Sequence, residues 1–288
     1  MTREVVDVFV SGITIGAVYA VMAIGMALVY GVTRVFNFAY GSFFTMGGYL
    51  AWIFVGLHFE YPLIIVVVIP ILFAAGFLTE RYVIRPLRAR DDWEMTSCMA
   101  TLGLALFVDN IYLVSFGPFV KSLPLLIEGS VDLGGLIMSG QDIAILIIAI
   151  LIMVGFMVFM DRSWLGMAME AVAQDMTGAQ IVGVPKDLIF GMVFAVSAVL
   201  VGIGGILLAP KYFVSPLGGW TIMLKAWVIT ALGGMGSIRG SLCSAFILGL
   251  VEAFVAWQLG FTWTLVAWFA VLLFTLIVRP QGLFGKWG

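Results

Sequence analysis

Apolar residues run through this chain in long unbroken blocks separated by short polar gaps. The blocks fall at about 5–30, 39–57, 62–79, 95–116, 143–160, 188–209, 220–235, 242–258 and 263–278. Most have the length of a helical membrane crossing, since a hydrocarbon core about 30 Å thick takes on the order of 20 mostly apolar residues. Transmembrane strands would alternate apolar and polar positions over about ten residues, and these runs do not alternate. Backbone polar groups meet no water in lipid, so continuous apolar spans close their own hydrogen bonds as helices. The prediction is an all-α polytopic membrane protein with about 8–9 transmembrane helices. Residues 1–288 are expected to form one transmembrane domain, with a polar segment at 161–187 inside it.

Composition agrees: 63% of residues are hydrophobic and 10% are charged, against roughly a quarter charged in an average soluble domain. Basic residues near span ends resist translocation, so Arg81, Arg85, Arg88 and Arg90 mark a cytoplasmic loop. Counting crossings from there puts 161–187, the tail 279–288, Arg34 and Arg239 inside. The segment 117–140, whose basic residue is Lys121, then lies outside. The N-terminus is expected outside and the C-terminus in the cytoplasm; one glycine-rich block turning back within the membrane would change that parity. The first block opens with Arg3, Glu4 and Asp7 and is long enough to remain as a span. Cys98 and Cys243 fall in or beside apolar blocks and are expected free. The net charge of −2 argues against nucleic acid.

Chemistry is narrowed by inventory. A zinc site needs several ligands at helical spacing, and His58 is the single histidine. Neither a G-x-S-x-G elbow nor a G-x-x-x-x-G-K-[ST] phosphate loop occurs, so the expectation is a non-enzyme with no catalytic residues, no metal site and no ATPase motif. Ionisable residues within spans each cost about 3 kcal/mol on insertion scales. Asp109 with Asn110, Lys225 and Glu252 are therefore candidates to line a path, to pair with one another, or to hold helices together. In a proton-coupled carrier they would form the relay.

Glycines, 34 in all, sit inside the blocks as well as between them. Two glycine-rich interruptions stand out, one in each half: Asn37, Phe38, Tyr40, Gly41 and Ser42 followed by Gly47 and Gly48, and Gly233, Gly234, Gly236, Ser237 and Gly240. Paired interruptions point to an inverted repeat with broken or re-entrant helices around a central pathway; close helix packing is the alternative. Within 161–187, Met169, Val172, Met176, Ala179 and Val182 or Gly183 recur at spacings of three and four, which predicts one helical stripe. Glu170, Ala173 and Asp175 accompany it. An apolar stripe without a basic polar face suits docking into a groove on a cytoplasmic protein.

The stretch GITIGAVYAVMAIGMALVYGVTRVFNFAYGSFFTMGGY at 12–49 resembles the permease subunits of bacterial branched-chain amino acid ABC importers, the LivH type. Thr101-Leu-Gly-Leu, Asn110, the loop 166–184, ALGGMGSIRG at 231–240, LGLVE at 248–252 and RPQGLFG at 279–285 resemble further family segments in the same order. The resemblance implies a transport subunit in the bacterial inner membrane, paired with a homologous second permease, two cytoplasmic ATPases and a periplasmic binding protein. It places ATP and magnesium at those partners, with no cofactor on this chain. It identifies 166–184 as the coupling segment, with Met169, Glu170, Val172, Ala173, Asp175, Met176, Ala179 and Gly183 as coupling candidates. Asn37, Phe38, Tyr40, Gly41, Ser42, Gly233, Gly234, Gly236 and Ser237 are the pathway candidates. Substrate recognition rests largely with the binding protein, so few specific contacts are expected along the path. Glu170 stands where an arginine is common, and Asp109 where an amide or glutamate is. The alternatives are urea or short-chain amides as substrate, a stand-alone ion-coupled carrier, and a purely structural membrane subunit.

Overall fold

The computed structural model describes residues 2–127, 129–132 and 137–284. Among the described residues the chain forms α1 (Thr2–Thr33), α2 (Tyr40–Gly56), α3 (Tyr61–Thr79), α4 (Trp93–Phe116), α5 (Gly140–Arg162), α6 (Trp164–Gln174), α7 (Met176–Ile181), α8 (Lys186–Tyr212), α9 (Gly219–Gly233), α10 (Ile238–Leu259) and α11 (Thr264–Val278). Each of the nine apolar blocks is a helix, with ends a few residues from those read off the pattern. Seven helices are long and apolar enough to cross a membrane; α2 and α9 are shorter. The all-α reading missed one detail, a hairpin pairing β1 (Ser130–Asp132) with β2 (Ile137–Ser139) in antiparallel register. Residues 128 and 133–136 of the predicted outer segment, and Gly285 of the C-terminal motif, lie outside the described residues.

Helices α1 and α8 stand at the centre, buried along most of their length. Helices α3, α4, α5 and α11 ring them and expose large apolar side chains such as Val66, Phe107, Leu151 and Phe274. A helix that is apolar all round fits a lipid-facing position.

The halves repeat one another. Helix α1 packs on α10 as α8 packs on α3, and α8 packs on α2 as α1 packs on α9. The exchange has a sequence trace that the block pattern concealed: GAVYAVMA at 16–23 reappears as GMVFAVSA at 191–198. Helix α3 ends beside the start of α8, and α11 ends beside the end of α9. Successive passes therefore alternate in direction, and one end of the bundle gathers Arg34, Arg85, Arg88 and Arg239.

The short helices explain the glycine interruptions. After α1 the chain returns toward the middle of the bundle as a non-helical segment, 34–39, that closes in a turn before α2 begins. Its fixings are specific: the Asn37 side chain accepts from Ala39 N at 3.0 Å, Phe38 N donates to Thr101 Oγ1 at 3.1 Å, and Phe36 and Phe38 pack on Trp227. Residues 213–218 do the same between α8 and α9. The first turns of α2 and α9 then meet: a Cβ on Gly41 would fall on the Gly219 carbonyl, and one on Gly219 on the Gly41 carbonyl. Farther along, Gly47 abuts Gly202 and Gly205 abuts Phe44. Gly219→Ala is expected to cost about 1–3 kcal/mol by overpacking. Gly103→Ala, whose Cβ meets open space, should hold or raise stability by up to about 1 kcal/mol. Thermal unfolding of the detergent-solubilised protein checks both; equal effects would overturn the close-approach account.

Candidate functional site

Two polar clusters lie within the bundle. The first sits where α2 and α9 meet. Asp109, buried on α4, accepts from Ser42 Oγ and from Trp220 Nε1, each at 2.8 Å, and these donors belong to the first turns of the two short helices. Each helix N-terminus carries roughly half a positive charge, so two of them end to end favour a carboxyl group beside them. Tyr112, one turn along α4, donates to the Ser42 carbonyl at 3.2 Å. Asn110 faces away and donates to Leu106 O of its own helix at 2.7 Å.

The second cluster joins α1, α9 and α10. Lys225 Nζ lies 2.8 and 2.9 Å from the two Glu252 oxygens and donates to Tyr19 Oη at 2.5 Å. Tyr19 in turn donates its hydroxyl hydrogen to Glu252 at 3.0 Å. Trp268 from α11 stands edge-on to Tyr19, and Nζ lies 5.1 Å from the Trp268 ring and 4.9 Å from that of Tyr19. Lys225 and Glu252 are 6% and 1% exposed. Buried charges of this kind persist only when paired.

A cavity of about 170 Å³ reaches this second cluster. It extends from the end of α8 and the start of α11, at Tyr212, Ser215 and Phe261, inward to Tyr19, Lys225 and Glu252. Phe44, Leu208, Val214 and Ile222 form apolar walls, and Thr45, Ser215 and Thr221 supply hydroxyls. Drug-sized ligand pockets run to about 300–1,000 Å³, so this one suits a small solute.

The glycine-rich pathway candidates lie elsewhere: none of the nine lines this cavity. Tyr40 donates to the Met22 carbonyl, Gly41 is packed on Gly219, and Gly233 is packed on Gly240. Gly234 and Gly236 have φ of 101° and 85°, values that require glycine. They make the turn into α10, which Ser237 caps by accepting from Gly240 N at 3.1 Å. The tail docks on that turn, Leu283 N donating to Leu232 O at 2.8 Å. These residues serve close packing and turn formation.

The coupling candidates divide. The single predicted stripe breaks at Asp175, whose side chain caps α7 by accepting from Thr177 N at 2.9 Å. Met169, Val172 and Ala179 are buried in the protein's own core, and Met176 and Ala173 pack against it. The stripe is thus used within the chain, because its apolar side chains find α1, α5 and α8 beneath them. Glu170, Asp175 and Gly183 face outward, as do Ile181 and Val182 at 80% and 79% exposure. Fully buried Glu80, in a π-helical turn at the end of α3, pairs with Arg85 at 3.0 Å and with Arg88. Arg88 also reaches Asp187, at 3.0 Å, where the segment rejoins α8. Sequence reasoning missed Tyr19, Trp220, Trp268 and Glu80. Tyr19 was findable as the tyrosine standing where the repeated segment has Phe194.

A bundle with seven membrane-length apolar helices, two short central helices, a buried ion pair and a small internal cavity is that of a polytopic membrane protein. The family is shown by comparison: residues 8–278 match the model described as branched-chain amino acid transport system / permease component, and the chain belongs to that family. It is 31% identical to the high-affinity branched-chain amino acid transport system permease protein BraD of Pseudomonas aeruginosa, over 96% of this chain and 94% of the relative. It is 29% identical to LivH of Escherichia coli K12 over the same shares. LivM of Escherichia coli K12, also a permease protein of a branched-chain amino acid transport system, is 28% identical over 98% of this chain and 70% of its own length. No solved structure matches the chain.

Asp109→Leu is expected to leave Trp220 Nε1 without its acceptor, at about 1–3 kcal/mol for an unsatisfied group, and to leave Ser42 Oγ only its longer bond to the Ala105 carbonyl at 3.4 Å. Ser42→Ala should cost less, because Trp220 keeps its partner. Unfolding midpoints of the two variants test this; equal midpoints would remove Asp109 from its bridging role.

Proposed function

We propose that this chain is one membrane-spanning permease subunit of an ATP-driven importer that takes up branched-chain amino acids delivered by a periplasmic binding protein. The observation that carries the reading is family membership across nearly the whole chain, including relatives named as branched-chain amino acid permeases. LivH and LivM relatives from one organism support pairing with a homologous second permease. The arginine-bearing end is cytoplasmic by the positive-inside rule, which puts α6 and α7 in the cytoplasm, the N-terminus outside and the cavity mouth at the outer face.

One of the two cytoplasmic ATPases docks on the outward side of α6 and α7, with Ile181 and Val182 as the apolar tip. The inward stripe fastens that segment to the bundle, and the Glu80–Arg88–Asp187 network ties its exit to α3. Movement of the tip therefore reaches the central helices through packed elements. ATP and magnesium bind at the partner subunits.

Tagged protein extracted in mild detergent should co-purify with two ATPase subunits and a second permease. Ile181→Asp with Val182→Asp is expected to lower ATPase recovery and leucine uptake by about tenfold or more, since apolar anchors dominate such contacts. The exposed positions should leave the melting temperature of the chain unchanged. Unchanged recovery would overturn the docking assignment. Uptake by the chain alone would favour the ion-coupled carrier instead.

A further inference from the structure

Residues six positions into α2 and α9 face opposite circumstances. Gly47, six after Gly41, is packed against the Gly202 backbone with no space between them. Lys225, six after Gly219, instead reaches a cavity and a carboxylate. The matched positions therefore differ: one is closed by backbone packing, and the other carries a charge to a cavity whose walls come from both halves. Desolvating an ion pair costs several kcal/mol per ion, and apolar replacements of similar volume are often as stable or more so. A pair kept at the floor of a small cavity therefore calls for an explanation beyond stability.

We propose that Lys225, Glu252 and Tyr19 form a recognition site for the zwitterionic head of an α-amino acid, with the apolar cavity wall receiving its side chain. The proposal rests on the importer reading above. An incoming head carries one carboxylate and one ammonium, the same two charges the site already holds. Its carboxylate takes the Lys225 ammonium and the Tyr19 hydroxyl hydrogen, and its ammonium takes Glu252, whose two oxygens have lone pairs beyond those now used. Four charges then stand in two pairs, so neither protein nor solute is left with an uncompensated buried charge. No bond is made or broken. A neutral amide or urea offers no charge to exchange and would have to separate the resident pair without replacing it. Phe44, Leu208 and Ile222 line the cavity beyond the head and favour an apolar side chain. The site thus selects hydrophobic amino acids over small polar amides.

The test uses the assembled importer. In proteoliposomes, Lys225→Met, Glu252→Gln and Tyr19→Phe are each expected to lower leucine uptake, the two charge variants by about tenfold or more. The exchanged pair Lys225→Glu with Glu252→Lys should regain the wild-type melting temperature without regaining uptake. A purely structural pair would recover both, and that result would overturn the proposal, as would uptake by both charge variants within about twofold of wild type.

Ligand-observed NMR on the wild-type permease–ATPase complex in nanodiscs, without binding protein, covers the case in which the variants fail to assemble. Leucine should bind at least about tenfold more tightly than leucinamide, which lacks the carboxylate, or 4-methylpentanoate, which lacks the ammonium. Equal binding of all three, or of none, would overturn the site. Failure of wild-type proteoliposomes to take up leucine would count against the importer reading, and is seen before any variant is compared.

Discussion

The close approach of α2 and α9 at Gly41 and Gly219 is the constraint on which the remaining architecture depends. Two helix N-termini meet there in the interior, each with unpaired backbone N–H groups and a partial positive charge. Contact at that range requires residues without side chains, and the electrostatic penalty of the meeting requires an acceptor. Asp109 supplies it through Ser42 and Trp220, one donor from each helix. A carboxyl group that looks costly on a hydropathy scale is thus part of what lets two broken crossings share the centre of the bundle.

From that meeting point the two halves diverge. On the α2 side, Gly47 and Gly202 bring backbones together and leave no space between them, while Phe44, Thr45 and Gly48 form one wall of the cavity. On the α9 side, Lys225 and Glu252 hold α1, α9 and α10 through an ion pair that Tyr19 completes, and a cavity remains beside them. The exchange of Phe194 for Tyr19 between the repeated segments is the chemical difference, since only the tyrosine can give and accept hydrogen bonds. A shared backbone plan therefore carries one packed contact and one polar cluster that borders a cavity.

The segment between α5 and α8 shows how an amphipathic pattern divides its work. Its apolar stripe is consumed in fastening α6 and α7 to the bundle, which leaves Ile181 and Val182, together with Trp164 and Met167 of α6, as apolar surface offered outward. Glu80, buried in a π-helical turn, and its arginines bind the same region from the α3 side. The segment is thus fastened both to the central helices and to the end of α3.

The apolar blocks by themselves determined that this is a helical membrane protein, and placed nine of the eleven described helices to within a few residues. A bilayer imposes length and polarity on each span locally, so that information is written along the chain. The ordered motifs likewise carried the family, and the spans' charged residues flagged Asp109, Lys225 and Glu252. Their partners were not legible, because Tyr19 and Glu252 are 233 residues apart and pairing across that distance is a property of helix packing. Packing likewise decided that most residues of the glycine-rich runs make backbone contacts and tight turns while Gly48 borders the cavity, and that Met169, Val172 and Ala179 of the 161–187 stripe face inward. A glycine's type records only that a side chain is absent; whether backbone, solute or solvent fills that space depends on which element the fold brings against it.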